Sequence, residues 1–470
     1  MLLDQLEGNE SWKDDPESNT YDFNLISSRC TCLKIARQEM ETNRDLLVRI
    51  LRSGLLRNLG GIGQPELYTR VHVGTKKLIE DYVETVTSSL KALVDDETFP
   101  LHDKFDFFWE TRQSFGRSAL LLSGGATLGL YHLGVIKTLF EHDLLPRVIS
   151  GSSVGSIIAS IVAVHTDEEL PELFALKTVS FSAFDPVGSR WRKINRLFRQ
   201  GVLMDVKKLQ SYIRSQIKDL TFREAYSRTK RILNITVAPA NSFESPRLLN
   251  YLTSPDVLIW SAASASCALT GLYEPVELMV KDLKGDLVPY HPSPLKWSDG
   301  SVTTDLPVAR LSELFNVNHF IVSQVNPHVI PFISGTRNQA NGQGIYSKFI
   351  TLCKSEIIHR INQAADLGII PRKLDFLASV SGQSYKGHIT IVPTLKLEDY
   401  ANLLANPTVP WIKECMLKSE RNTWEILSMI KHHCAIELEL DKAVHSLRKT
   451  VDSMNPERAL YIYNRKNKNF

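Results

Sequence analysis

Apolar and polar positions change rhythm along the 470-residue chain. From Tyr21 to Val94 the apolar residues recur at helical spacing. Leu33, Ile35, Ala36, Leu46, Leu47, Ile50 and Leu51 lie in one stretch that stops at Gly60-Gly61, and a second helix is predicted from Tyr68 to Val94, after Pro65. A polar and aromatic connector, DDETFPLHDKFDFFWETRQSFG, follows. At Ser118 the pattern shifts to short apolar runs closed by turns. SALLLSGG reads as a strand buried on both faces, and LYHLGVIKTLFEHDLL as a helix with Leu130, Leu133, Ile136, Leu139 and Phe140 on one side. RVIS is the next strand and VGSIIASIVAVH the next helix, with further strands at RILNITVAP and NHFIVSQV. Strands alternating with helices across short turns predict a parallel sheet, so the fold class is α/β with helical additions on both sides. After about Phe332 the segment SGTRNQANGQG opens a last section with one strand, HITIVPTL, and a long charged helix from about Trp411 to Arg448.

Composition narrows this picture. With 43% hydrophobic residues the chain can bury a large core. A formal net charge of +3 gives no ground for a nucleic-acid partner. Cysteines 30, 32, 267, 353, 415 and 434 show neither paired spacing nor a His/Cys metal pattern, and read as reduced cytosolic thiols with no metal site. The N-terminus MLLDQLEGNESWKDD lacks the layout of a signal peptide. The apolar runs IIASIVAV and ALLL are far shorter than the ~20 residues that span a bilayer. The expectation is a soluble protein, or one lying on a membrane surface.

Two glycine-rich turns after successive strands carry the chemistry. In SGGATLG, Gly124, Gly125, Ala126, Thr127 and Gly129 open a helix. Backbone N–H groups there stabilise negative charge, while the spacing fits neither a dinucleotide fingerprint nor a phosphate loop. In Gly151-Ser152-Ser153-Val154-Gly155, a G-x-S-x-G stands between strand and helix, the setting of a nucleophile elbow. Ser153, flanked by both glycines, is the candidate nucleophile, and Ser152 a supporting residue. A serine needs a base. Asp299-Gly300 is one candidate, placed in a loop after GDLVPYHPSP, although Asp-Gly on its own is more often the signature of a plain turn. His319 and His328 are the alternatives, in the chain order of a Ser…His triad, and both also read as structural histidines.

GGATLG, GSSVG and DGS, in this order, resemble the patatin-like phospholipase family. LLPRVISGSSVGSI, LNYLTSPDVLIWSAASASC, LFNVNHFIVSQVNPH and the N-terminal LEGNESWKDDPES extend the likeness to the triacylglycerol lipase branch of fungi and plants. The resemblance implies a patatin-like parallel-sheet core with helical N- and C-terminal additions. Its regions would be a helical lipase region over 1–117, a catalytic domain over 118–312 and a mostly helical region over 313–470. It also implies a Ser-Asp dyad without histidine: Ser153 as nucleophile, Asp299 as base, and the N–H groups of Gly124 to Thr127 and of Val154 as the oxyanion hole, with Gly129, Gly151, Gly155 and Gly300 completing the motifs. The implied activity is hydrolysis of triacylglycerol at lipid droplets or a membrane surface, without cofactor. A phospholipase or lysophospholipase using the same dyad, or a non-catalytic droplet scaffold, is the alternative. Leu128 stands where many members carry Arg or Lys, and Ser301 where Ala or Gly is common. Against the family's pattern the chain begins partway into the N-terminal region, so a targeting element could be missing from it. None of the thirteen histidines has an aspartate five residues on, so the acyltransferase box of some fungal relatives is lacking.

One stretch stands outside these motifs. Ser189 to Leu209 mixes Arg190, Arg192, Lys193, Arg196 and Arg199 with Trp191, Ile194, Leu197 and Phe198. Such a helix suits an anionic lipid surface, and equally a solvated face packed on a core.

Overall fold

The computed structural model describes residues 2–176, 205–240, 245–269, 272–290, 295–300, 305–327, 329–330, 333, 385–403 and 405–454, with isolated positions between 352 and 363. The basic stretch up to residue 204, Cys353, Ser301 and His328 lie outside the described residues. The chain divides into two compact units, Met1–Arg117 with Glu425–Phe470, and Ser118–Trp424. Residues 313–470, read from sequence as one region, are thus shared between the two.

The first unit is helical. The single helix expected to run up to Gly60 is two, Phe23–Gln38 and Arg44–Gly54. The polar run Glu39 to Asn43 turns between them, the Asn43 N–H bonding back to the Glu39 carbonyl at 2.8 Å. The second expected helix starts late, at Lys77, and runs to Asp95. Gly74, at φ +84°, takes a left-handed conformation that ends any helical path from Tyr68. The supposed connector is itself a helix, Leu101–Phe115, which buries Phe107, Phe108, Thr111, Arg112 and Phe115. Its aromatic face was hidden among charges. The last helix, Leu427–Met454, is pinned to this unit by ion pairs. Arg57 meets Glu437 at 3.0 Å, and Arg112 meets both oxygens of Asp441 at 2.5 and 3.2 Å. The long terminal helix read from sequence is therefore broken: Val409–Trp424 belongs to the second unit.

The second unit is a sheet with helices. Its strands are β1 (Arg117–Leu122), β2 (Val148–Gly151), β3 (Ile232–Pro239), β4 (Arg247–Leu249), β5 (Val276–Glu277), β6 (Met279–Lys281), β7 (Leu287–Pro289), β8 (Lys296–Asp299), β9 (Val317–Ser323) and β10 (Ile389–Ile391). Eight form one sheet in the order β10-β9-β1-β2-β3-β8-β5, with β4 also on β3, while β6 and β7 make a separate hairpin. β1 pairs β2 in parallel, as do β2 with β3 and β9 with β10. β8 runs antiparallel to β3 and β5, so the sheet is mixed at one side. The central strands are almost wholly buried because helices cover both faces. Ala119, Leu121, Val148, Ile232, Leu311, Phe320 and Val322 form the core beneath one face. No helix among the described residues is long and apolar enough to cross a membrane.

Candidate active site

Ligand sites in open α/β sheets lie beyond the carboxyl ends of parallel strands, and both glycine turns sit there. β1 ends at Leu122 and leads through Gly124 and Gly125 into a 3₁₀ turn, Ala126–Leu130, and then the helix Tyr131–Glu141. β2 ends at Gly151, and the helix Val154–Val164 begins three residues later. The two turns are pressed together. A Cβ on Gly155 would meet the Leu122 carbonyl oxygen at 2.3 Å, and one on Gly129 would meet Val154 Cγ1 at 2.4 Å. Leu128 is fully buried between them and the core.

Ser153 has φ 51° and ψ −127°, a conformation that is strained for a side-chain residue. It stands at the N-cap of its helix, yet its hydroxyl makes no cap bond. A serine there ordinarily spends its oxygen on the helix, so this backbone frees it. Ser153 is partly exposed, whereas Ser152 is fully buried. The Ser153 N–H donates to Ser266 Oγ at 3.0 Å.

Asp299 is the last residue of β8, not a loop residue, because β8 pairs with the end of β3. Gly151 is level with Ile235 and Asp299 with Val237, two residues further along β3, so Asp299 lies two strands across from the elbow at the same end of the sheet. Gly300 then lies against β3, where a Cβ would meet Thr236 Cγ2 at 2.8 Å and the backbone of Thr236 and Val237 at 3.0 Å. The end of the helix Ile259–Ser266 and the two residues after it contact both residues, Ser266 at the Ser153 amide and Ala268 at the Asp299 amide. The Asp299 N–H donates to the Ala268 carbonyl at 3.1 Å. Burial pushes the Cys267 thiol well up, and the Asp299 charge adds to this, while the hydroxyls of Ser156 and Ser153 hydrogen-bond to it and pull the other way. One buried, un-ionised thiol therefore touches the surroundings of both candidate residues.

The expected oxyanion donors divide. The Gly124 N–H donates to Asp305 Oδ1 at 3.1 Å, and the Thr127 N–H to the Leu403 carbonyl at 3.2 Å. Amides so engaged are not offered to a substrate, which removes these two from the set. The N–H groups of Gly125, Ala126 and Val154 make no hydrogen bond among the described residues.

His319 is placed far from this end. It lies near the start of β9, buried, with Nδ1 3.0 Å from the Ser118 hydroxyl at the start of β1. The length of β1, about 13 Å at 3.3 Å per residue, lies between that contact and the strand ends where Ser153 sits.

Three residues of this region carry no signal that sequence reading used. His132 is wholly buried; its Nε2 is 3.0 Å from the Ser123 carbonyl and its Nδ1 2.7 Å from Ser323 Oγ. Burial lowers its pKa to about 4, against the pull of the Ser123 bond, so it is neutral, donating through Nε2 and accepting at Nδ1. Asp305 is buried at 2% exposure and joins Ser152, Gly124 and Asn326. Ser266 braces the elbow amide. Among the described residues no group of three or more His, Cys, Asp or Glu is arranged to hold a metal.

Residues 120–311 match the family described as Patatin-like phospholipase, and residues 1–113 match a domain of unknown function, DUF3336. The chain is 42% identical to Triacylglycerol lipase SDP1L of Arabidopsis thaliana over 91% of its own length and 54% of that protein. It is 41% identical to Triacylglycerol lipase 4 of Saccharomyces cerevisiae, covering 95% of this chain and 51% of the other. Triacylglycerol lipase ptl3 of Schizosaccharomyces pombe is 36% identical, with 96% of this chain and 95% of the relative covered. The chain thus spans about half the length of the first two and nearly all of the third.

Proposed function

The chain belongs to the patatin-like phospholipase family, and from that premise we propose that it is a triacylglycerol lipase, hydrolysing stored neutral lipid to diacylglycerol and free fatty acid. The names of its relatives support the substrate class. The observation that carries the chemistry is the backbone of Ser153, held at positive φ with its hydroxyl unspent on the helix it caps.

In this reading Ser153 Oγ attacks the acyl carbonyl carbon while its proton passes to Asp299. The N–H groups of Gly125, Ala126 and Val154 meet the charge that grows on the carbonyl oxygen. The ester C–O bond then breaks, and Asp299 returns the proton to the departing diacylglycerol oxygen. Water attacks the acyl-serine, Asp299 takes its proton, and the fatty acid leaves as Ser153 recovers its own. The substrate is insoluble in water, so the site would work at the surface of a lipid droplet or membrane.

Purified protein offered triolein emulsion and phosphatidylcholine vesicles side by side tests the reading, with Ser153→Ala as control. Release of fatty acid from triolein by the wild type alone is the expected result. Turnover of phosphatidylcholine without triolein would make it a phospholipase. Turnover of neither by folded protein would make it a scaffold.

A further inference from the structure

Asp305 lies six residues beyond Asp299, and its carboxyl group receives donors from Ser152, Gly124 and Asn326. The Ser152 hydroxyl donates to Oδ1 at 2.5 Å and the Gly124 N–H to the same oxygen at 3.1 Å. Asn326 Nδ2 donates to Oδ2 at 2.6 Å. Ser152 directly precedes the nucleophile. Gly124 directly precedes Gly125 and Ala126, two of the amides left for an oxyanion. One side chain therefore links the elbow, the oxyanion turn and the loop after β9. Ser152 is fully buried, so it and Asp305 are not a second dyad open to substrate.

These donors on both oxygens suit an ionised carboxylate, which has about four lone-pair sites and no proton to place. A protonated carboxyl must turn one donor away or reverse the Ser152 hydroxyl. Reversal is open to it, because that hydroxyl has a second acceptor in the Asp305 carbonyl oxygen at 3.0 Å. In either case the Gly124 amide loses a charged partner, and a charge-assisted bond is roughly twice as strong as a neutral one.

We propose that Asp305 is a positioning residue for hydrolysis: its carboxylate holds the Gly124 amide and the Ser152 hydroxyl together and so sets the oxyanion turn against the elbow. This rests on the reading of Ser153 as nucleophile and of the Gly125 and Ala126 amides as oxyanion donors. The surroundings make the link sensitive to pH. Burial raises the Asp305 pKa to about 7, with the Asp299 charge adding to it and the bonds from Ser152, Gly124 and Asn326 opposing. Tyr385, ahead of β10, also faces it; burial and then the Asp305 charge push the phenol up, so it stays neutral. His132, behind the turn, is neutral as well. Turnover therefore falls as Asp305 takes up its proton.

The test uses a soluble short-chain ester, with kcat and KM measured from pH 5.5 to 9 and circular dichroism on each variant. Asp305→Ala should lower kcat by at least about tenfold with KM little changed, as expected when transition-state stabilisation alone is lost. Asp305→Asn keeps the size and an acceptor oxygen but cannot ionise. Its kcat should stay near the wild type's acid-end value at every pH, still above that of Asp305→Ala, and the acid limb near pH 7 should vanish from its profile. A folded Asp305→Asn protein with the wild-type acid limb overturns the proposal, as does Asp305→Ala with wild-type kcat. Should Asp305→Ala not fold, the Asp305→Asn profile decides alone. Activity surviving in Ser153→Ala would instead remove the nucleophile assignment, a separate failure.

Discussion

The amide of Ser153 donates to the hydroxyl of Ser266 at 3.0 Å, and that hydroxyl donates onward to the Thr236 carbonyl at 2.8 Å. A strained residue persists only where its surroundings over-determine it, and positive φ at a non-glycine position costs on the order of 1–3 kcal/mol. Ser266 supplies part of that restraint. Ser266→Ala leaves a buried amide and a buried carbonyl without their partner. We expect a loss of about 1–3 kcal/mol in stability by urea unfolding, and a lower kcat on a soluble ester with KM unchanged. Wild-type kcat in a destabilised Ser266→Ala protein would show that the bond serves the fold alone.

The base is tested by comparing variants in single turnover on one short-chain ester. Ser153→Ala and Asp299→Asn should be almost equally inactive, because both remove the same proton transfer. Ser152→Ala should be milder. His319→Ala should retain most of its activity, since its ring contacts Ser118 at the opposite end of β1. A triad histidine would cost about 10³-fold or more on removal. A folded His319→Ala or His328→Ala protein as inactive as Ser153→Ala would end the dyad reading.

Thr127 is held from outside the glycine turn. Its N–H and its hydroxyl both donate to the Leu403 carbonyl, at 3.2 and 2.5 Å. Thr127→Val keeps the first bond, removes the second and preserves the shape. Loss of one buried hydrogen bond should cost roughly 1 kcal/mol of stability. With the Gly125 and Ala126 amides still in place, kcat should fall by less than tenfold. A drop as deep as that of Ser153→Ala would mean that the Leu403 segment orders the whole turn.

Stability should respond to acid through two buried groups of opposite sign. His132 has its pKa lowered to about 4 from an ordinary 6.5, so its contribution is present above pH 6.5 and lost as pH falls towards 4. A shift of that size corresponds to about 3 kcal/mol. Asp305 has its pKa raised to about 7 from 3.8, so the folded state binds the proton first and gains stability as pH falls from 7 towards 4, by up to about 4 kcal/mol. The wild type should therefore be comparatively flat across this range. His132→Gln should become relatively more stable on acidification, and Asp305→Asn less so. Urea midpoints at pH 4.5, 6 and 8 read both slopes, and parallel slopes for all three proteins would contradict the account.

What the sequence by itself determined was whatever is local in the chain. The strand, turn and helix around Ser153 lie within about twenty consecutive residues, and an apolar run, two glycines and a second apolar run suffice to specify them. The turn at Gly124 and Gly125 is legible for the same reason. Tertiary structure alone decided what depends on distant partners. Asp305 looks in sequence like any solvated aspartate, and only the arrival of Ser152, Gly124 and Asn326 makes it a buried anchor. Thr127 reads as an oxyanion donor until Leu403, far along the chain, takes its amide. Asp299 reads as a loop residue because β8 is a strand only through its pairing with β3. The helix Leu101–Phe115 shows the same limit, since its apolar face exists only against the helices that bury it. Hydrogen bonding and burial act through space, so composition and spacing along the chain do not encode which groups they will join.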